Sequence, residues 1–238
     1  MSNDFFRFKQ FDVKQDMTAM KVGVDSVLLG AWADVDHACR ILDVGTGTGL
    51  LALMMAQRNA EAVVDAVEID TDACRQARQN IAGGPWPERI RVVCDDFRNF
   101  ADTCSFRYDL IICNPPFFTD SLKSTDEKRN AARHNDSLPH SDLLSGAAKL
   151  LAPSGRLAVV LPPAEARLLI DKAKAYTLFP RRILEVSSFA GKPPRIMLVE
   201  LSRYVCPADE KTLYIEKVDR SDYTDEYKNL TKAFYLKF

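Results

Sequence analysis

The sequence predicts an α/β fold, a mostly parallel β-sheet with helices on both faces, and three observations carry that reading. From residue 39 onward, short β-rich apolar runs alternate with longer helical patterns, the order that winds a parallel sheet. The runs at 41–44 and 110–113 suit strands covered on both faces. After residue 180 the pattern changes, because "RRILEVSSF" and "PRIMLVELSR" are separated only by "AGKPP". So short a connection holds no crossover helix, and this pair is expected to be antiparallel.

Taken in order, "FRFKQF" near the start alternates as a half-buried strand does, and "SVLLGAW" reads as a helix. "CRILDV" is the first strand of the main series and "GLLALMMAQRN" the helix after it. "AVVDAVEI" and "DACRQARQNIA" repeat the order, and "RIRVVC" is the third strand. "YDLIIC", "HSDLLSGAAKLL", "GRLAVVL" and "AEARLLIDKAKAY" continue it up to the antiparallel pair. The expected organisation is one domain over 1–238, with an N-terminal extension at 1–38, a core at 39–203 and a short tail at 204–238.

With 238 residues the chain can bury a large core, since a domain of this size removes roughly three-quarters of its unfolded surface from water. Apolar residues at 47% and charged residues at 27% describe a globular protein rather than a disordered or fibrous one. A net charge of −1 rules out a global basic field, so any nucleic-acid binding has to use local patches. Six cysteines without a Cys-x-x-Cys pair read as reduced thiols, and three histidines are too few for a multi-histidine metal centre, so no metal is expected. The N-terminus lacks a signal-peptide pattern and no run approaches the ~20 apolar residues of a membrane span. A cytoplasmic protein without a membrane partner is the expectation.

"ILDVGTGTGLLAL" sets Asp43, Gly45, Gly47 and Gly49 between the first strand and its helix. Glycines there let the backbone bend tightly and let a ligand approach without meeting a Cβ. A tight turn without a ligand is the alternative, but three glycines at alternate positions exceed what a turn requires. A dinucleotide fingerprint would need glycine where Leu50 stands, and a phosphate loop would need Gly-Lys-Ser/Thr. Glu68 closes the second strand and is placed to hold ribose hydroxyls, whereas Asp70 suits the cap of the following helix. Asp95 and Asp96 close the third strand, and either can accept from an adenine amino group or belong to a solvated loop.

The fourth strand ends in "NPPFF", Asn114 to Phe118. As a set, D-x-G-x-G-x-G, the acids closing strands two and three, and Asn-Pro-Pro-Phe resemble the class I S-adenosylmethionine-dependent methyltransferases, in their amino-group-modifying branch. The resemblance covers about residues 39–203. It implies a Rossmann-like, seven-stranded sheet and S-adenosylmethionine as cofactor. That cofactor has no phosphate, which accounts for a glycine loop without a phosphate-binding lysine.

Strands one and four are expected to flank the point where strand order reverses, which sets "NPPF" beside the glycine loop. An exocyclic amino nitrogen is a poor nucleophile because its lone pair is delocalised. Acceptors aimed at its two hydrogens return density to it, and the Asn114 Oδ1 and the Pro115 carbonyl can be those acceptors. Pro115 and Pro116 stiffen the corner before substrate arrives, and Phe117 offers a face on which a planar base can stack.

Through "FKQF", "KVGVDSVLLGAW" and "NPPFF" nearly the whole chain also resembles the bacterial tRNA1(Val) adenine-N6 methyltransferases, which modify the adenosine just 3′ of the anticodon. This likeness implies tRNA as partner and carries over Gly45, Gly47, Glu68, Asp95 or Asp96, and Asn114 to Phe117 as site residues. It further implies that Lys21, Val24 and Asp25 cover the methionine end of the cofactor; Asp25 can alternatively start the helix. Enzymes that methylate a protein glutamine share the same corner and are the competing enzyme class, and a cofactor-binding RNA module without catalysis is the alternative outside enzymes, against which the complete "NPPF" speaks. Lys123, Lys128, Arg129 and Arg133 follow the corner and are the expected RNA-backbone contacts, with Arg181, Arg182, Lys192 and Arg195 as a second basic patch. A monomer is expected.

Overall fold

The computed structural model describes residues 4–18, 21–115 and 138–238. Strands β1 (Phe5–Arg7) and β2 (Asp12–Lys14) form an antiparallel hairpin. The main sheet holds β3 (Arg40–Val44), β4 (Val63–Glu68), β5 (Ile90–Cys94), β6 (Tyr108–Cys113), β7 (Leu151–Leu161), β8 (Phe179–Ser187), β9 (Ile196–Ser202) and β10 (Asp209–Tyr214). Their spatial order is β10-β8-β9-β7-β6-β3-β4-β5. The pairs from β7 across to β5 are parallel, and β9 runs antiparallel to both β7 and β8.

Both faces are covered, and the strands alternate between two cores. Ile41, Leu110 and Ile112 join one core, with residues of helices α1 (Val24–Trp32), α2 (Leu50–Arg58) and α3 (Thr71–Ala82). Leu42, Ile111 and Cys113 join the other, with α4 (Phe97–Thr103), α5 (His140–Leu150) and α6 (Pro163–Ala173). Every second residue therefore faces a different apolar layer, which is why these strands read as nearly unbroken apolar runs. On the first face α1 lies close against α2: a Cβ on Gly30 would stand 2.5 Å from the Met54 Sδ.

The antiparallel pair matches the expectation from the short "AGKPP" link. Two features differ. Among the described residues the sheet has eight strands rather than seven, because β10 in the tail pairs in parallel with β8. Its sequence "DEKTLY" buries only Leu213, so it carries the polar composition of an edge strand rather than an apolar run. Helix α4, seven residues long, fills the connection between β5 and β6. The tail also supplies α7 (Asp225–Thr231), whose Tyr227 joins the first core.

In the N-terminal extension Phe8 and Phe11 are core residues at 2% and 5% exposure, while Phe5 remains 45% exposed beside Arg7. The burial of Phe8 and Phe11 agrees with the expectation for "FRFKQF", but the strand does not: β1 ends at Arg7, and Phe8 to Phe11 form the turn of the hairpin, closed by the Phe8 amide donating to the Phe11 carbonyl at 2.9 Å. Among the described residues no helix is long and apolar enough to cross a membrane, and no cluster of His, Cys, Asp and Glu could hold a metal ion.

Candidate active site

The order reversal of the sheet lies between β3 and β6, where Val44 and Cys113 are paired across the two strands. The residues that follow each of them, the glycine loop and Asn114, therefore leave the sheet side by side at its carboxyl edge, where ligands of such sheets bind.

The loop is built by backbone and carboxylate together. Gly45, Gly47 and Gly49 have φ of +69°, +55° and +83°, in the left-handed region where other residues are strained. A Cβ added to Gly45 or Gly47 would meet nothing within 4 Å, so open space lies over the loop. The Gly45 and Thr46 amides donate to the Val67 carbonyl, at 2.8 and 3.1 Å. Asp43 lies beneath, fully buried; its Oδ2 accepts from Thr46 Oγ1 at 2.5 Å and from the Ala52 amide at 3.1 Å. It thereby caps the first turn of α2, which has no side-chain cap of its own. Burial pushes the Asp43 carboxyl up to about 7, against the opposing pull of those two donors, and its Oδ1 is buried without a hydrogen-bond partner.

Glu68 reaches back from the end of β4. Its Oε2 accepts from the Gly47 amide at 2.8 Å, and its Oε1 from the Ile69 and Asp70 amides at 2.9 and 3.0 Å. Asp70 caps α3 through the Ala73 amide, as its position suggests. The two acids after β5 separate in role. Asp96 caps α4 through the Arg98 amide at 2.8 Å, and the Arg98 guanidinium bonded to it lowers its pKa. The Asp95 Oδ1 accepts from the Asp96 amide at 2.8 Å, and its own amide donates to the Glu68 carbonyl, which holds it beside the end of β4.

Asn114 is half-buried and Pro115 buried. The Asn114 Nδ2 donates to the Ser26 Oγ, on the first turn of α1, at 2.7 Å. The Oδ1 of the same amide is buried without a hydrogen-bond partner. A buried acceptor without a partner is costly to maintain, and at the carboxyl edge of the sheet this one is available to a donor. Two residues that sequence reasoning passed over take part. Ser26 fixes the amide of Asn114, and Asn80 of α3 ties the glycine loop to the N-terminal hairpin by donating to the Thr48 and Lys14 carbonyls, both at 2.8 Å, and accepting from the Lys14 amide at 2.9 Å.

Lys21 and Val24 are exposed ahead of and at the start of α1, and Asp25 is partly buried, its pKa raised by burial against the opposing field of Arg195. Arg182 is bound to Glu200 at 3.3 Å and to the Trp32 carbonyl at 3.0 Å, and Arg181 lies 3.7 Å from Glu200, so this part of the second basic patch is engaged within the fold. Pro116, Phe117, Lys123, Lys128, Arg129 and Arg133 lie outside the described residues.

The model of the methyltransferase small domain family matches residues 19–166. A tRNA1(Val) (adenine(37)-N6)-methyltransferase of Bacteroides fragilis is 49% identical over 238 residues, covering all of both chains. One of Parabacteroides distasonis is 47% identical over 237 residues, again covering both in full. Among solved structures, a predicted O-methyltransferase of Agrobacterium tumefaciens has a TM-score of 0.65 at 20% identity, over 88% of this chain and 96% of that one. A ribosomal-protein methylase of Lactobacillus delbrueckii subsp. bulgaricus has a TM-score of 0.58 at 16% identity, over 81% and 84%. These two share the fold.

Proposed function

Because the chain belongs to the methyltransferase small domain family and, within it, to the tRNA1(Val) (adenine(37)-N6)-methyltransferases, we propose that it transfers a methyl group from S-adenosylmethionine to the N6 amine of the tRNA adenosine just 3′ of the anticodon. The observation that carries the proposal is the Asn114 amide, held by Ser26 with its Oδ1 buried and unpaired, one strand over from an open glycine loop.

The residues fit the cofactor. The open space over Gly45 and Gly47 admits a ligand against the backbone, and the Glu68 Oε2, which accepts only from the Gly47 amide, keeps a lone pair for a ribose hydroxyl, whereas Oε1 is taken by the Ile69 and Asp70 amides. Asp95 rather than Asp96 is left to accept from the adenine amine, since Asp96 is taken by its helix cap and Arg98. Asp43, buried beneath the loop, shapes it through Thr46 and Ala52 rather than touching the ligand. When bound, S-adenosylmethionine supplies a methyl carbon activated by its sulfonium.

The Asn114 Oδ1 and the Pro115 carbonyl accept the two hydrogens of the adenine amine. Drawing those hydrogens into hydrogen bonds moves the nitrogen toward tetrahedral geometry and returns its lone pair for attack. Because the acceptors are fixed beforehand, no reorganisation is needed as charge develops. The Asn114 amide does not take the proton, which leaves to water after transfer. Phe117 stacks on the extruded base, and Lys123, Lys128, Arg129 and Arg133 meet the RNA backbone. The reading includes action in the cytoplasm as a monomer.

Incubation with labelled S-adenosylmethionine and total tRNA, followed by nuclease digestion, tests it. Labelled N6-methyladenosine is expected. Label appearing in N5-methylglutamine of a protein substrate, with none in tRNA, would overturn it.

A further inference from the structure

A cavity of about 320 Å³ opens next to the first turn of α1; Asn114 and the glycine loop do not line it, and of the site and basic-patch residues above only Val24, Asp25 and Arg195 do. Its walls include Asp25, Ser188, Arg195, Glu216, Tyr223 and Tyr227. Arg195 immediately precedes β9, whose next residues pair with the carboxyl end of β7, so the cavity lies along the same sheet edge as Asn114. One turn of helix thus serves both places: Ser26 holds the Asn114 amide, while Val24 and Asp25 turn to the cavity.

The far wall is constructed rather than incidental. The tail doubles back on the β8 end, with the Ile215 and Glu216 amides donating to the Ser187 and Ser188 carbonyls at 3.0 and 2.8 Å. Tyr223 stacks on buried Tyr227 at 5.2 Å and 28°, and is itself 40% exposed, so one tyrosine supports a second that can receive another ring. Phe189 follows the wall residue Ser188 in sequence; Arg220, at φ of +57°, places its guanidinium 4.6 Å over that ring, with Lys192 on the same ring at 5.7 Å.

Tyrosine supplies a stacking face, the Asp25 and Glu216 carboxylates accept from amines, and Arg195 donates to carbonyl or ring-nitrogen acceptors. Those are the contacts that recognise the edge and face of a single-stranded base, and the two cations over Phe189 suit a phosphate of the same strand. The volume is at the lower end of ligand pockets. We propose that this cavity takes a second nucleotide of the same RNA, the base adjoining the target adenosine, so that one turn of α1 separates two neighbouring extruded bases. The inference rests on the tRNA reading above and adds a specificity subsite to it. Burial of Asp25 agrees with such a role, since a partly desolvated carboxyl opposite Arg195 gains from a base amine.

The test uses a full-length tRNA assembled by ligation, intact or abasic at the nucleotide immediately 5′ or 3′ of the target, with wild-type protein, Tyr223→Ala and Arg195→Gln. In the wild type, loss of the captured base is expected to raise KM for tRNA about tenfold, a loss of one stacking partner. In either variant KM on intact tRNA rises similarly, and the abasic site then adds little, because base and pocket have been removed together. Affinity for S-adenosylmethionine stays at the wild-type value. Penalties from variant and abasic site that multiply at both positions, or variants with wild-type KM on intact tRNA, overturn the subsite. If Tyr223→Ala lowers the melting temperature, Arg195→Gln, an exposed side chain, carries the comparison. Absence of N6-methyladenosine from intact tRNA with wild-type protein overturns the tRNA reading itself, and is distinct from either result.

Discussion

The Asn114 side chain is oriented by Ser26: a 2.7 Å hydrogen bond from Nδ2 to the serine Oγ leaves Oδ1 buried and without a partner. Removal of the acceptor and removal of its holder should therefore differ in degree. Asn114→Ala is expected to lower kcat by about 10²- to 10³-fold, the scale of losing one preorganised transition-state partner. Ser26→Ala should lower kcat by roughly tenfold, with KM for tRNA nearly constant. Calorimetric affinity for S-adenosylmethionine should be unchanged in both. A near-normal kcat in Asn114→Ala would remove the amide from the mechanism.

Gly47→Val should abolish cofactor binding. Its φ of +55° is strained for a β-branched residue, and the added side chain enters the open space over the loop that the proposal assigns to the ligand. Calorimetry showing wild-type affinity would place the cofactor elsewhere.

Asp95 and Asp96 adjoin in sequence but should separate by readout. Asp95→Ala is expected to weaken S-adenosylmethionine binding by about tenfold, the worth of a hydrogen bond of ~1 kcal/mol or slightly more. Asp96→Ala instead removes the cap of α4 and should cost about 1 kcal/mol of stability, with a smaller effect on affinity. Parallel titration and urea denaturation of the two variants decide the matter; the reverse ranking exchanges the assignments.

Asp43 gives a pH dependence of known sign. Its folded value of about 7 lies above the ordinary 3.8, so the folded state binds the proton more tightly than the unfolded chain. Its favourable contribution is complete below about pH 3.8 and is lost as the pH rises through 7, a change on the order of 4 kcal/mol. Asp43→Asn lacks this titration. The stability difference, wild type minus variant, should fall between pH 4.5 and pH 7.5 in urea denaturation, and a constant difference would contradict it.

Asn80→Ala should destabilise the fold by about 3 kcal/mol, at ~1 kcal/mol for each of its hydrogen bonds to Lys14 and Thr48. Limited proteolysis should then cut the N-terminal hairpin first, while an intact hairpin would assign its attachment to the apolar contacts of Phe8 and Phe11.

The sheet was legible because its central strands are apolar on both faces, and the glycine loop because glycine at positive φ leaves a compositional mark. The corner at Asn114 was legible as a motif, yet its holder was not: Ser26 on a helix reads like any small polar residue, and nothing local indicates that it faces the end of β6. Strand β10 was missed for a different reason. An edge strand with one buried side chain, Leu213, has no apolar run to reveal it. Helix α4 buries only Phe97, Phe100 and Ala101, too short a pattern to separate from a loop. Asn80 shows the general limit, since a polar residue in the last turn of an amphipathic helix gives no sign that three distant backbone groups depend on it.

Gly30 is four residues beyond Ser26, on the same side of α1, and its missing side chain lets that helix settle against Met54 and Leu51. The aim of the Asn114 amide is therefore inherited from how deeply a neighbouring rod is seated. Bulk introduced a full turn away, at a site touching neither substrate nor cofactor, would lift the rod and detune the chemistry while leaving the protein folded.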